Sequence, residues 1–191
     1  MRRICLIALA TLLSPVTWAD WTLDNAGSRL SFVSTKATNV AEVHTFDTLS
    51  GSVGGDGHAR VVIQLASVNT LIPIRDERMR EMLFQTELLP TATVDARLDI
   101  ARIVNMAVST SEILTTELLL TLGESRLPIT AELLVTRIAA DRVLVAATKP
   151  IIVNAGALNL AEGVEALREV AGLPSISQAV PVTFVLQFVA G

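Results

Sequence analysis

A residue period of two dominates this chain and sets what it can fold into. Ala59, Val61, Ile63 and Leu65 alternate with Arg60, Val62, Gln64 and Ala66. Ala92, Val94, Ala96, Leu98 and Ile100 alternate with Thr91, Thr93, Asp95, Arg97 and Asp99. The beat continues through Leu118, Leu120 and Leu122, through Ile129, Ala131, Leu133 and Val135, and through Val180, Val182, Phe184, Leu186 and Phe188. Successive side chains on a strand point to opposite faces, so this alternation predicts strands with one apolar and one more polar side. Leu30 and Phe32, set against Arg29 and Ser31, and a stretch within 40–53 bring the count to seven or eight strands. Gly54-Gly55-Asp56-Gly57 reads as a hairpin turn between two of them. Such spacing predicts an all-β fold, an antiparallel barrel or sandwich. Residues 143–147 and 151–153 are apolar on both faces, which calls for a helix or a second subunit over their outer side.

Two segments leave this beat. Residues 75–84 carry Met79, Met82 and Leu83 at helical spacing with Pro73 just upstream, and predict a short helix. Residues 160–171 place Val164, Leu167 and Ala171 on one side and run into Gly172 and Pro174, the stop signals of a helix. No repeat or linker interrupts the run, so residues 20–191 read as one domain. The first nineteen residues read as an address. Arg2 and Arg3 precede an apolar run from Ile4 to Leu13, Ser14-Pro15 breaks it, and Thr17-Trp18-Ala19 ends in a small residue. That order is a secretory signal peptide, 1–19, cleaved after Ala19. Its apolar run falls short of the roughly 20 residues a membrane span needs, so the chain is expected not to span a membrane. Cys5 leaves with it, so the exported chain has no thiol, and its stability rests on its core.

Composition narrows the function. Hydrophobic residues make up 51% of the 191 and charged residues 18%, far too apolar for a disordered chain. Fifteen Lys+Arg against nineteen Asp+Glu give a net charge of -4, the wrong sign for a general nucleic-acid binder. Two histidines and one cysteine leave little material for a zinc site. Glu42 and His44 share a strand face but do not complete a metal site, so His44 reads as a polar or solvent-facing strand residue. His58 adjoins the glycine turn and reads as exposed. No Gly-x-Ser-x-Gly elbow or nucleophile–base pair stands out, so the chain reads as no enzyme and requires no cofactor. The Arg75-Asp76-Glu77-Arg78-Met79-Arg80-Glu81 cluster reads first as a solvated helix face with pairs such as Arg78 with Glu81. Its alternative is a set of guanidinium groups at a barrel mouth, able to bind a phosphate or carbonyl head. Met79 and Met82 fit a core or the adaptable lining of a greasy site. What a hydrophobic container needs is abundant: a small barrel can enclose one ligand behind inward-facing aliphatics.

In order along the chain stand Trp21-Thr22-Leu23-Asp24, Ser28-Arg29-Leu30-Ser31-Phe32, Phe46 through Leu49-Ser50-Gly51, and Ser67-Val68-Asn69-Thr70. Arg75-Asp76-Glu77-Arg78-Met79-Arg80 follows with Phe84, Pro90 and Ala92-Thr93, then Gly172-Leu173-Pro174 and Val180-Pro181-Val182-Thr183-Phe184. With these elements the chain resembles the YceI-like family of exported lipid-binding, lipocalin-like proteins. The resemblance implies an eight-stranded antiparallel lipocalin-like barrel with one or two short helices. Its apolar pore would hold a polyisoprenoid, such as an isoprenoid quinone or a polyprenyl phosphate, for transport, storage or stress protection. It also implies secretion to the periplasm and often a homodimer, and transient membrane contact is a further expectation. By position, Phe32, Phe46, Met79, Met82, Leu83 and Phe84 are the expected pocket residues, with Arg75 and Arg78 at the mouth. The segment 36–44 departs from the family, being short and polar where many members carry a longer aromatic or basic stretch. The alternative is an interaction protein whose barrel is filled by its own side chains and docks a periplasmic partner.

Overall fold

The last strand of the protein returns to pair with the first, and this closes the sheet. The computed structural model describes residues 20–191. The expected signal peptide lies outside the described residues. The strands are β1 (Trp21–Lys36), β2 (Val40–Phe46), β3 (Leu49–Val53), β4 (His58–Gln64), β5 (Val68–Asn69) and β6 (Thr91–Arg97). They continue as β7 (Thr110–Leu122), β8 (Ser125–Ala139), β9 (Arg142–Ala147), β10 (Ile151–Asn154) and β11 (Ala179–Ala190). The α-helices are α1 (Pro73–Arg78), α2 (Ile100–Val104) and α3 (Ala161–Val170), and a π-helical turn (Met79–Phe84) continues α1.

All pairings are antiparallel, and β1 meets β11 from Trp21 opposite Ala190 to Phe32 opposite Val182. β2 and β3 run end to end along β1, and β9 and β10 run end to end along β11. With each of these pairs taken as one interrupted strand, and the two-residue β5 left aside, the ring has eight members. An eight-stranded ring is the size whose interior holds packed side chains or one small ligand. The alternation read from the sequence points the right way: Ala131, Leu133, Val135, Leu186 and Phe188 all face inward and are buried. The hairpin at Gly54-Gly55-Asp56-Gly57 joins β3 to β4 as expected.

A break in β1 lets that strand serve two partners. The register shifts between Asp24 and Arg29. Within the break Ser28 Oγ donates to Asp24 O at 2.7 Å and accepts from Gln187 N at 3.0 Å. Asn25 accepts from Leu49 N at 2.7 Å and donates to Asp47 O at 3.1 Å, which stitches the gap between β2 and β3. Such a bulge bends its strand and sharpens the local twist. Below it β1 pairs with β3, and above it with β2.

The lower end is sealed. Ile100 and Ile103 of α2, with Met106 beyond it, pack into the core. Arg137 donates to the carbonyls of Val104 and Ala140, and its guanidinium lies 5.9 Å from the centre of the Trp21 ring. Here the structure corrects the sequence. The strand expected to run on to Ile100 ends at Arg97, and Asp99 caps α2 by accepting from Arg102 N at 3.2 Å. The helix expected over 75–84 begins at Pro73 and widens into the π-helical turn at Met79. Among the described residues no helix covers the outer side of 151–153, where Ile152 is 59% exposed. Of the two covers expected there, the helix is the one the structure contradicts.

Gly57 has a left-handed φ of 79°, and a Cβ there would sit 2.2 Å from the Leu98 carbonyl oxygen. Both the strain and the clash act in the folded state. Gly57→Ala is expected to lower unfolding stability by about 2 kcal/mol, read from a shift of the urea midpoint.

Candidate functional site

Inward side chains of the ring leave a tunnel of three overlapping chambers. The lowest, above α2, is a cavity of about 120 Å³ walled by residues such as Trp21, Ile100, Leu133 and Phe188. The middle chamber, about 200 Å³, is walled by Phe46, Leu65, Leu120, Ile129 and Val153 among others. Apart from the Trp21 indole, every side chain around these two is purely apolar. Leu30, Ile63, Val94, Leu118 and Phe184 belong to both walls, so the two chambers adjoin across these side chains. Phe32, Leu83, Val164 and Val180 in turn belong to both the middle chamber and the third, of about 180 Å³, at the mouth.

Local structure explains why the tunnel opens upward. β8 pairs with β9 only from Leu133 to Ala139, so its first half stands clear of β10. α3 covers this side, contributing Val164 to the middle chamber and Val164, Leu167 and Val170 to the mouth. It packs on the π-helical turn at Gly163, where a Cβ would lie 2.8 Å from Met82 O and 2.9 Å from Leu83 Cα. The wide turn carries Met79, Leu83 and Phe84 into the lining. Single π turns of this kind recur at functional sites. Along one wall the rings of Phe84, Phe46, Phe32 and His44 form a chain with centroids 5.6, 5.3 and 5.3 Å apart, leading from the apolar tunnel to the mouth.

The mouth is polar on one side. Lys36, Arg75 and Arg78 face it with a single carboxylate, Glu42, and with His44 and Ser34. Glu42 Oε2 accepts from Lys36 Nζ at 2.8 Å and from Arg75 Nη1 at 2.7 Å. The Lys36 ammonium foremost, with Arg75 beside it, holds the Glu42 carboxyl below the usual carboxylate range. Arg75 Nη2 also donates to Thr70 O at 2.8 Å, while Asp76 Oδ1 accepts from Thr70 N at 2.8 Å. Thus Arg75 and Asp76 pin the loop before α1 against β2, and Arg78 makes no ion pair among the described residues.

His44 is only 3% exposed. Its Nε2 lies 2.9 Å from Ser34 Oγ, and its Nδ1 is buried with no partner. Burial above all, and then the Arg75 charge, pushes its pKa below the ordinary histidine value, so the ring is held neutral.

Of the residues expected from the sequence, Phe32, Phe46, Leu83 and Phe84 line the middle chamber, and Arg75, Arg78 and Met79 the mouth. Met82 lines none of the chambers; it lies where α3 crosses the turn, its carbonyl facing Gly163. The reading of His44 as solvent-facing is wrong, because it lies on the inward face of β2, against the Phe32 ring and Ser34. The His58 side chain is 41% exposed, and its Nε2 lies 3.1 Å from Asp95 Oδ1. The arginine cluster is a solvated helix face only in part: Glu77 and Glu81 are exposed, whereas Arg75 turns inward to Glu42. Sequence reasoning missed Lys36 and Ser34 as mouth residues. The signal for them was their two-residue spacing from Phe32 on β1.

A closed antiparallel ring around an apolar tunnel with a polar mouth defines a lipocalin-like container. The particular family follows from comparison: a family model for the YceI-like domain matches residues 21–188, and the chain belongs to that family. A polyisoprenoid binding domain from Saccharophagus degradans, implicated in plant cell wall breakdown, is similar in structure with a TM-score of 0.89. It is 39% identical, over 91% of this chain and 100% of that one. BcnA of Burkholderia cenocepacia shares the fold at a TM-score of 0.63 and 16% identity, over 86% of this chain and 98% of its own. No curated protein matches the chain.

His44 gives the protein a pH signature. Its folded pKa lies below the ordinary histidine value, so the unfolded chain binds the proton more readily. This contribution to stability is complete above the unfolded pKa and is lost as pH falls below it, towards the folded pKa. Thermal unfolding is therefore expected to shift to lower temperature between about pH 7.5 and about pH 5.5. His44→Gln, which keeps a partner for Ser34, should lose that part of the shift.

Proposed function

We propose that this protein is an exported binding protein that takes a long-chain isoprenoid amphiphile tail-first into its barrel. In this proposal the signal peptide directs it to the periplasm, and the bound lipid is an isoprenoid quinone or a polyprenyl phosphate held for transport, storage or stress protection. One observation carries it: apolar chambers that share walls follow one another from the sealed end of the barrel to its mouth. Burying a hydrocarbon tail there yields about 0.8 kcal/mol per CH₂ without any hydrogen bond to the chain. Such a tail needs only a long dry wall, and the lower two chambers supply it. The head group then stays at the polar mouth. The role is binding, with no bond made or broken. The kinship with a polyisoprenoid binding domain supports the same ligand class. A barrel plugged by its own side chains, the alternative from the sequence, is disfavoured by the apolar cavities left inside the ring.

Native mass spectrometry of the mature protein, followed by organic extraction, is expected to release one isoprenoid per barrel. Release of nothing, with a protein complex in its place, would favour the docking alternative. Leu83→Arg places a charge where the middle chamber meets the mouth and should abolish lipid retention while the circular dichroism stays that of a β-barrel. Val94→Trp fills the passage between the lower chambers. It should spare binding of a short geranyl chain and weaken that of geranylgeranyl at least about tenfold, the scale of a few lost CH₂ burials.

A further inference from the structure

We propose that the flank of the barrel beside the mouth, from Leu71 across β2, β1 and β11 to Ile152 on β10, is a membrane-docking face that holds the mouth against a lipid bilayer. This rests on the tail-in-tunnel proposal above and adds to it how the tail reaches the tunnel.

Strand register assembles the face. Phe32 and His44 point inward, so Val33 and Val43, which pair with each other, point outward. One step past the pairing of Phe32 with Val182, Val33 meets Pro181, and Pro181 pairs with Ile152. On the other side β5 sets Asn69 opposite Thr45, which brings Leu71 level with Val43. An apolar row thus crosses the outer surface near the mouth, with Leu71 86%, Val43 65% and Ile152 59% exposed. Ile72 and Ile74 stand beside Leu71 and are exposed too. The outward positions on either side carry no charge: Thr45, Ser31 and Thr183 below the row, Ala41 and Thr35 above it. Charge returns only at the border, at Arg29 and Asp47 farther down the strands and at Glu77 one turn past Ile74 on α1. Contiguous apolar surface of this kind marks a protein or membrane contact.

Leu71 decides between them. Its φ of 62° is left-handed, an uncommon conformation for a leucine. The loop enforces it: Leu71 N donates to Asn69 Oδ1 at 2.9 Å, and Thr70 is held by Arg75 and Asp76. Strain is thereby kept in a loop that presents a bare leucine to water, as strained segments at binding sites do. A side chain that stands so clear of its neighbours would hold a flat protein partner off the sheet, whereas fluid hydrocarbon closes around it. The face is also small, against roughly 20–30 residues a side in a stable protein interface. One two-residue step along a strand is about 7 Å, so the row can sink to the roughly 5–10 Å depth of interfacial elements while Arg29 and Asp47 stay in water. A prenyl tail is costly to expose to water at every CH₂, so a mouth that loads one gains by meeting the bilayer directly.

The test is co-sedimentation of the mature protein with vesicles of phosphatidylcholine, alone or mixed in equal parts with phosphatidylglycerol. Binding to both, unchanged by high salt, is expected of an apolar face. Leu71→Asp and Ile152→Asp should each weaken it at least about tenfold. Leu71→Gly, which relaxes the left-handed backbone, should weaken it several-fold without lowering the urea midpoint. Calorimetry with geraniol, soluble enough to need no vesicle, should give wild-type affinity in all three variants. Transfer of geranylgeraniol from vesicles should slow in each. No vesicle binding, binding only to the anionic vesicles with loss in salt, or variants that bind vesicles like the wild type overturn the docking face. So does a dimer in sedimentation velocity that Leu71→Asp and Ile152→Asp dissociate, since a second copy then covers the face. In those cases geraniol binding still upholds the tunnel proposal. Failure of geraniol to bind the wild type removes the tunnel proposal and the loading role with it.

Discussion

The antiparallel pairing of β1 with β11 is the contact on which the rest depends. Without it the sheet has two open edges and no inside. With it, the ring size is fixed, and so is the amount of space that inward side chains must fill. They do not fill it, because Val, Ala, Leu and Ile predominate on the inner faces and aromatic rings are few. The closure is held where β1 is weakest, at the Asn25 to Ser28 break, by Ser28 and Asp24 binding the backbone and side chain of Gln187 on β11.

From that ring the two ends diverge. Below, α2 and the Arg137 guanidinium over Trp21 close the tunnel. Above, β2 and β10 stand beyond the complete ring, and the gap is spanned by α3 and the π-helical turn rather than by a strand. Gly163 lets those two elements approach to backbone contact. Because the bulge hands β1 over to β2, the same strand that closes the barrel also delivers Ser34 and Lys36 to the mouth. An apolar wall and a polar mouth are thus consecutive lengths of one strand.

The strands were legible because each must turn one face to a buried interior, which imposes the two-residue beat. Ile100 shows the limit of that signal: it keeps the beat, yet the Asp99 cap ends the strand before it. The π-helical turn was invisible because the spacing of Met79, Met82 and Leu83 fits an ordinary helix. Met82 was assigned to the pocket from that spacing, and the wider turn leaves it out of the lining. The mouth was half legible. Arg75 and Arg78 stood out as a cluster, but the partner of Arg75 is Glu42 on β2, a pairing set by the fold and not by local spacing. His44 was misjudged for the same reason, since its neighbours Phe32 and Ser34 lie on β1 and the pairing of the two strands turns all three inward.

The central claim, that the barrel accommodates a prenyl tail along its axis, is tested most directly by a crystal structure of the mature protein grown with geranylgeraniol. The account predicts density of one methyl-branched chain that threads past Phe184 and Leu118 and ends beside His44. Phe184 and Leu118 rotated to close the passage, with the prenyl chain lying on the outer surface of the sheet, would contradict it.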